Sequence, residues 1–304
     1  MHKRKVNWRK VFSTDKIIVG LILFLIVVAT VFFVRDIKVY DYTVETNAFF
    51  APFEYYKNRE IVGVDVEIIN RVAEKLDASI DIKNVEFDMI IDNVANGVIA
   101  DAGAAGITIT PARAEKVDFS IPYYTSVQYV VFNPNNAPEI KTGSVLEAEG
   151  SNTVLAEKEY IVWDALAGKT IGTQMGSTGY LYASSEATDG VLAGTNTSVK
   201  GLESHQIAAD AINSHIIDYA IADELAAKFI VEKVPGLVAL PLYYADEGGD
   251  YPVEESYAIA VNKQRPELLN AFNEVLTKLL EPGEDGKTEM DKLILKYMGL
   301  SEEV

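Results

Sequence analysis

The chain contains no cysteine. This excludes disulfides, thiolate metal sites, a cysteine nucleophile and lipid attachment through an N-terminal cysteine. Histidine is almost as scarce. His2, His205 and His215 stand far apart and none lies at metal-ligand spacing from an acid, so no metal site is predicted. His205 and His215 read as surface or helix-end residues. Phosphate-loop and nucleophile-elbow patterns are missing too. Gly168-Lys169-Thr170 follows Trp163 where a phosphate loop needs its first glycine, and Gly176-Ser177-Thr178-Gly179 lacks the elbow spacing. No catalytic constellation and no cofactor site follow from the sequence.

Positive charge is in short supply outside the first few residues. Residues 1–16 take six of the 27 cations and one of the 45 acids, so the remainder holds 21 and 44, a net of −23. Such an acidic body repels phosphate backbones and anionic lipid heads, which argues against nucleic-acid binding. The same acidity serves solubility or draws in cationic ligands, and composition does not separate the two.

Long apolar runs are absent but for one. Residues 17–34, IIVGLILFLIVVATVFFV, carry no charge and as a helix would span about 27 Å, close to the roughly 30 Å hydrocarbon thickness. The cations cluster before it, so the positive-inside rule places residues 1–16 in the cytoplasm and everything after Arg35 outside. The rival reading, a cleaved signal peptide, needs a shorter core and small residues at its end; this run ends Val-Phe-Phe-Val-Arg-Asp. A buried core helix of this length would show a polar face. The expectation is an uncleaved, single-pass signal anchor at the cell membrane, with the remainder extracytoplasmic.

Beyond the anchor, patterning alternates between strand and helix. A strand is predicted over 37–46, a helix over 64–76 with Asp65 as a cap, a strand over 79–85, a helix over 87–96 ended by Gly97, and a strand over 100–109. The theme returns with a strand over 170–173, helices over 178–185 and 207–213, a strand over 217–222 and a helix over 224–233. A strand over 257–261, a periodic helix over 266–280 and a short helix over 292–297 close the chain. Residues 133–165, with Pro134, Pro138, Gly143 and Gly150, read as an irregular connection plus an insert near 140–162. Alternating strands and helices imply parallel strands with crossover helices, the α/β class.

Several ordered segments stand out: TNAFFAPFEYY (46–56), IVGVDVEIINRVAEKL (61–76), FDMIIDNVANGVIADAGAAGITITPARAEKVDFSIPYY (87–124), GKTIGTQMGSTGYLYA (168–183) and IDYAIADELAAK (217–228). Together they resemble the polar-amino-acid family of periplasmic substrate-binding proteins (solute-binding protein family 3 of ABC transporters). The resemblance runs from about Val39 to the C-terminus. Its most specific part is Gly-Ile-Thr-Ile-Thr-Pro-x-Arg followed by Val-Asp-Phe-Ser-x-Pro-Tyr-Tyr.

The resemblance implies a two-lobed type II periplasmic-binding fold with a hinge of two crossing strands, near 129–132 and 238–242. Lobe 1 would combine 37–131 with 241–304, and lobe 2 would span 132–240. It also implies that the protein captures a free amino acid between the lobes and delivers it to ABC permease subunits. A free amino acid presents a carboxylate and an ammonium on one carbon, so its site needs a forked cation near an anion. Arg113 matches the family's carboxylate-binding arginine; by residue type alone it could be a surface arginine after a strand. Thr108 and the Gly106 carbonyl match positions that meet the carboxylate and the ammonium, although Gly106 also suits a plain turn. Asp223 matches the acidic partner of the ammonium, with a helix N-cap as the alternative. Thr178 opens a helix whose N–H groups suit an anion, or simply caps it. Phe50 and Phe87 match residues lining the ligand's stem, where core packing is the other role. Gln174 sits where the family varies with ligand side chain. Ala102–Gly106 (AGAAG) replaces bulkier residues, which would loosen or enlarge the pocket.

Two other classes remain at this point. One is a sensing module acting through a separate partner, since only about 16 residues lie before the anchor. The other is an enzyme on the same fold, as in the related cyclohexadienyl dehydratases, for which the sequence offers no spare general acid.

Overall fold

The computed structural model describes residues 19–25, 39–149, 152–247 and 249–299. The chain divides into two units, Met1–Tyr40 and Asp41–Val304. In the first, residues 19–25 are helical. The basic segment 1–16 and most of the predicted anchor lie outside the described residues. Among those described, no helix is long and apolar enough to cross a membrane.

The second unit is mixed α/β and two-lobed, each lobe built on its own sheet. In chain order it begins with β1 (Tyr42–Thr46), the short ribbon β2 (Phe49–Phe50), β3 (Glu54–Lys57) and β4 (Glu60–Val62), helix α1 (Val64–Leu76), β5 (Ile80–Asn84), helix α2 (Phe87–Asn96), β6 (Ala102–Gly103), the single turn α3 (Pro111–Ala114) and β7 (Asp118–Phe119). There follow β8 (Tyr124–Phe132), the hairpin of β9 (Lys141–Glu149) and β10 (Asn152–Val162), β11 (Thr170–Gln174), α4 (Thr178–Thr188), β12 (Ser198–Leu202), α5 (His205–Asn213), β13 (Tyr219–Asp223) and α6 (Glu224–Lys233). The chain closes with β14 (Val238–Tyr244), β15 (Tyr251–Pro252), β16 (Glu254–Tyr257), β17 (Ala260–Val261), α7 (Pro266–Leu279) and α8 (Glu289–Met298).

The first sheet has the order β5-β1-β6-β17-β7, the second β12-β11-β13-β8-β14-β10-β9. Strands β1, β5 and β6 run parallel, as do β11, β12 and β13. Ligands of open parallel sheets gather outside the carboxyl ends of the strands. Those ends deliver Asn47 after β1 and Gly106 after β6 in one lobe, and Gln174 and Asp223 as the last residues of β11 and β13 in the other. The sequence boundaries proposed at 131/132 and 240/241 fall inside β8 and β14, which pair antiparallel with Val238 opposite Phe132.

The helices follow their apolar spacing. α1 buries Val64, Val66, Ile68, Ile69 and Val72 on one face, each such side chain stabilising by about 1.5–3 kcal/mol, and packs on α7, whose Leu268, Phe272 and Leu276 are fully enclosed. α2 stops where Gly97 takes φ 68° and returns its N–H to Asn93 and Val94, the left-handed exit that glycine permits.

Four expectations need correcting. Residues 133–165 are not irregular: β9 and β10 form an antiparallel hairpin from Lys141–Tyr160 to Glu149–Asn152, with β-favouring residues such as Thr142, Val145, Thr153, Val154, Tyr160 and Ile161 spread over its arms. The strand expected over 100–109 is only Ala102–Gly103, because Gly106 turns the chain at φ 55°. Asp65 does not cap α1; Gly63 stands at the N-cap without a side-chain bond, and the Asp65 carboxylate accepts from the Gly106 N–H at 3.1 Å and the Tyr123 hydroxyl at 2.8 Å. The small AGAAG residues do not enlarge the cleft. They let α2 lie close: a Cβ on Gly103 would stand 2.3 Å from Ile90 Cγ2.

Candidate functional site

A small enclosed space lies where the carboxyl ends of the two parallel strand sets face each other. Seven residues singled out in the sequence line it, namely Phe50, Phe87, Gly106, Thr108, Gln174, Thr178 and Asp223, together with Ala105, Ser177 and His205. Its volume is about 10 Å³, room for about one water. An amino acid can enter only as these groups separate.

Arg113, the eighth residue, is buried behind the Thr108 wall. The Thr110 hydroxyl caps its short helix by accepting the Arg113 N–H at 3.2 Å. Its guanidinium donates to the Thr108 carbonyl at 2.7 Å and to the Gly176 carbonyl at 3.0 Å, one acceptor on each lobe. The Phe87 ring lies under it at 5.7 Å, a cation–π distance. Burial lowers the guanidinium's proton affinity while Glu255 and Asp223 raise it. Among the described residues it pairs directly with neither acid, so N–H groups of its fork remain for another carboxylate.

Asp223 faces it from the opposite lobe. Its position is the N-cap of α6, yet the carboxylate makes no capping bond. One oxygen accepts from Gln128 Nε2 and the other from the Tyr257 hydroxyl at 2.6 Å. A carboxylate that is 8% exposed and ignores the helix N–H groups beside it is held for another purpose. Thr178 behaves similarly. Ser177 is the cap of α4, accepting the Tyr180 N–H at 3.1 Å, which leaves the Thr178 hydroxyl 3.4 Å from that of Thr108 across the cleft. The start of α4, at Ser177 and Thr178, thus lines the cleft, and a helix N-terminus favours an anion.

Glycine geometry fixes two edges of the cleft. At Gly106 a Cβ would sit 2.4 Å from Phe50 Cε1, and at Gly176, φ 75°, it would sit 2.6 Å from Asp88 Cβ of the other lobe. Gly106 is held by Asp65, itself in contact with Glu54. Burial pushes the Asp65 carboxyl up to about 6. Glu54, fully enclosed, is pushed well above the carboxylate range by burial and then by Asp65.

The far end of the cleft is polar and uncharged. Gln174 Nε2 donates to Asn47 Oδ1 at 2.9 Å and to the Glu203 carbonyl at 3.2 Å, while Asn47 Nδ2 is fixed on the Val85 carbonyl at 2.7 Å. His205 is the first residue of α5 but not a surface residue: it is 4% exposed, 5.6 Å from the Phe50 ring centroid, and burial holds its imidazole below the ordinary value. Ser204 caps the helix and turns this first side chain inward.

Sequence reasoning passed over Asn47, Gln128, His205, Glu255 and Tyr257. One signal was present for Glu255. It shares the parity of Val253 and Tyr257, both buried, so period-two alternation puts it on the inner face of β16. Its Oε2 accepts from the Thr108 hydroxyl at 3.1 Å.

Comparison with known proteins identifies the family and agrees with the two-lobed fold. The pattern of the bacterial extracellular solute-binding proteins, family 3, matches residues 42–299. The arginine-binding extracellular protein ArtP of Bacillus subtilis is 27% identical over 256 residues, covering 83% of this chain and 84% of its own. A probable histidine-binding protein of Campylobacter jejuni is 27% identical over 250 residues, 82% of this chain and 81% of its own. Among solved structures, the amino acid ABC transporter substrate-binding protein AbpA of Streptococcus pneumoniae, bound to L-arginine, superposes with a TM-score of 0.68 at 27% identity, covering 85% of this chain and 94% of that one. An ancestral arginine-binding protein bound to glutamine gives 0.63 at 28% identity, with coverage of 85% and 97%. These relatives are named as binding proteins, not enzymes. This chain belongs to family 3 of the bacterial extracellular solute-binding proteins.

Proposed function

We propose that this protein captures a free amino acid between its two lobes and delivers it to an ABC importer, with residues 17–34 holding it at the outer face of the cell membrane. One observation carries the reading: a buried guanidinium backs one wall of an enclosed cleft and a buried carboxylate lines the facing wall. Arg113, the Thr108 backbone and the N–H groups opening α4 would take the α-carboxylate. Asp223, helped by the Gly106 carbonyl, would take the α-ammonium. Both lobes contribute, so the ligand binds the closed state better than the open one, and that difference drives closure. The hinge would be β8 and β14.

The side-chain end narrows the ligand class. Asn47 Oδ1 and the Glu203 carbonyl are acceptors now met by the Gln174 amide. A ligand whose side chain ends in N–H donors (carboxamide, imidazole or guanidinium) would replace that amide bond for bond. The names of the arginine- and histidine-binding relatives point the same way.

Calorimetry on the purified full chain in detergent tests the site, with the twenty amino acids screened first by thermal shift. Saturable binding of at least one, weakened by Arg113→Ala, is expected; no binding by any would refute the reading. The anchor is tested separately by alkaline extraction of membranes, which should leave the full chain in the pellet and release a form lacking residues 1–36.

A further inference from the structure

The floor of the cleft holds one carboxyl group more than an amino acid requires. Glu255 lies on β16 opposite Ser126 of β8, and Asp223 lies on β13 opposite Gln128 of the same strand, so Gln128 stands between two acids. Both are buried, at 3% and 8% exposure. Among the described residues, the charged or titratable groups turned toward the pair are Arg113 from α3, Tyr182 from α4, His205 from α5, whose imidazole burial keeps below its ordinary value, Tyr124 from β8, and Tyr257 from β16 itself. Arg113 is the cation among them, one positive charge against two carboxyls. The neutral neighbours are Thr108, Thr178 and Gln128.

Hydrogen bonding makes the same point. Asp223 accepts on both oxygens, as a carboxylate does. Glu255 accepts the Thr108 hydroxyl on Oε2, but its Oε1 is buried with no hydrogen-bond partner among the described residues, and so is Gln128 Oε1. An ionised Oε1 in that position would leave a buried charge uncompensated, whereas a protonated one is a donor among acceptors. Burial, and next the charge of Asp223, push the Glu255 carboxyl well above its ordinary range.

We propose that Glu255 and Asp223 hold a single proton between them, residing on Glu255, and that an amino acid's ammonium displaces it to solvent when the ligand is gripped. The ammonium brings a positive charge to the two carboxyls, which then no longer repel one another across an unfilled gap in charge. No bond other than Glu255 O–H breaks, and the proton passes to the buffer. This rests on the amino-acid site proposed above.

The test is titration calorimetry of the full chain with L-glutamine, L-histidine and L-arginine in buffers of differing ionisation enthalpy. About one proton should be released per ligand bound, and affinity should rise by up to about tenfold per pH unit while Glu255 is protonated, then level off. Glu255→Gln should bind with heats that do not depend on the buffer and with a flat pH profile. The infrared difference spectrum between ligand-bound and free protein should show loss of a protonated-carboxyl band in the wild type and no such loss in Glu255→Gln, the buried Glu54 carboxyl contributing equally to both states. Binding without proton release, or release that persists in Glu255→Gln, overturns the inference while leaving the amino-acid site intact. Failure of all amino acids to bind overturns the site itself, and lack of that infrared loss on binding overturns the shared proton whatever binds.

Discussion

Replacing Asp223 by asparagine separates its two roles, because the fold can absorb the change and the ligand cannot. The side chain keeps its size. Its new Nδ2 needs an acceptor, and Gln128 has one at hand: Oε1, buried without a donor, which a flip of the Gln128 amide turns toward it. The remaining oxygen still accepts from Tyr257. Stability should therefore change by no more than about 1 kcal/mol, the net value of one ordinary hydrogen bond. The ammonium fares differently. Removing the charge that faces a buried cation costs about 3–5 kcal/mol, and a neutral carbonyl returns about 1.5 kcal/mol of it as a bond to a charged group. The net, about 1.5–3.5 kcal/mol, weakens binding roughly 10- to 300-fold. Calorimetry on wild type and Asp223→Asn, with denaturant unfolding beside it, reads both quantities. Equal affinities would show that Asp223 does not meet the ligand. An equal fall in stability and affinity would show that it merely holds β13 to β8.

Three further outcomes follow from the same geometry. Gly106→Ala forces a left-handed residue, costing about 1–2 kcal/mol, and drives its Cβ toward Phe50 Cε1; thermal unfolding should fall by roughly 2–8 °C, and an unchanged midpoint would contradict the contact. Asp65 and Glu54 have raised folded-state pKa values, so the folded protein binds more protons than the unfolded chain; stability should decline as pH rises from about 4 to 6. Glu54→Gln, whose amide donates to Asp65, should flatten that decline in denaturant titrations across the range, and a wild-type curve that climbs instead would refute the buried pair. Gln174→Glu sets a carboxylate against Asn47 Oδ1, whose amide is tied to Val85 and cannot turn. Preference should move toward L-arginine over L-glutamine by about tenfold or more, read as the ratio of the two dissociation constants.

Much of this was legible in the chain itself, and the reasons differ by element. α1, α2 and α6 keep the ends predicted for them because each carries its own period and its own stop, as Gly97 does for α2. Local order of that kind is written in consecutive residues. The β9–β10 hairpin is not, since its arms intersperse acids, Gly143 and small residues among the apolar ones and carry no steady apolar alternation. The candidate site divides the same way. Seven of its eight expected members share one cavity because a motif named them together. Asn47, Gln128, His205 and Glu255 belong to no motif; Gln128 and Glu255 come to Asp223 because β8 pairs with β13 and with β16, Asn47 and His205 come from the end of β1 and the start of α5, and meetings of segments so far apart in the chain leave no trace in any one segment alone.

That pairing also explains why charge and selectivity occupy opposite ends of the cleft. Strand β8 gathers Asp223, Gln128 and Glu255 on neighbouring strands, fastened by backbone ladders that do not depend on the lobes meeting. The carboxyl floor is therefore built in advance, and electrostatic groups fixed beforehand cost no reorganisation when a charge arrives. Asn47 and Gln174 are different. They sit at the ends of β1 and β11, on separate sheets, and meet only through side chains. Changes there alter which side chain is accepted without disturbing the floor, so the common head of every amino acid is read by the sheet and the variable tail by whichever residues two strand ends happen to present.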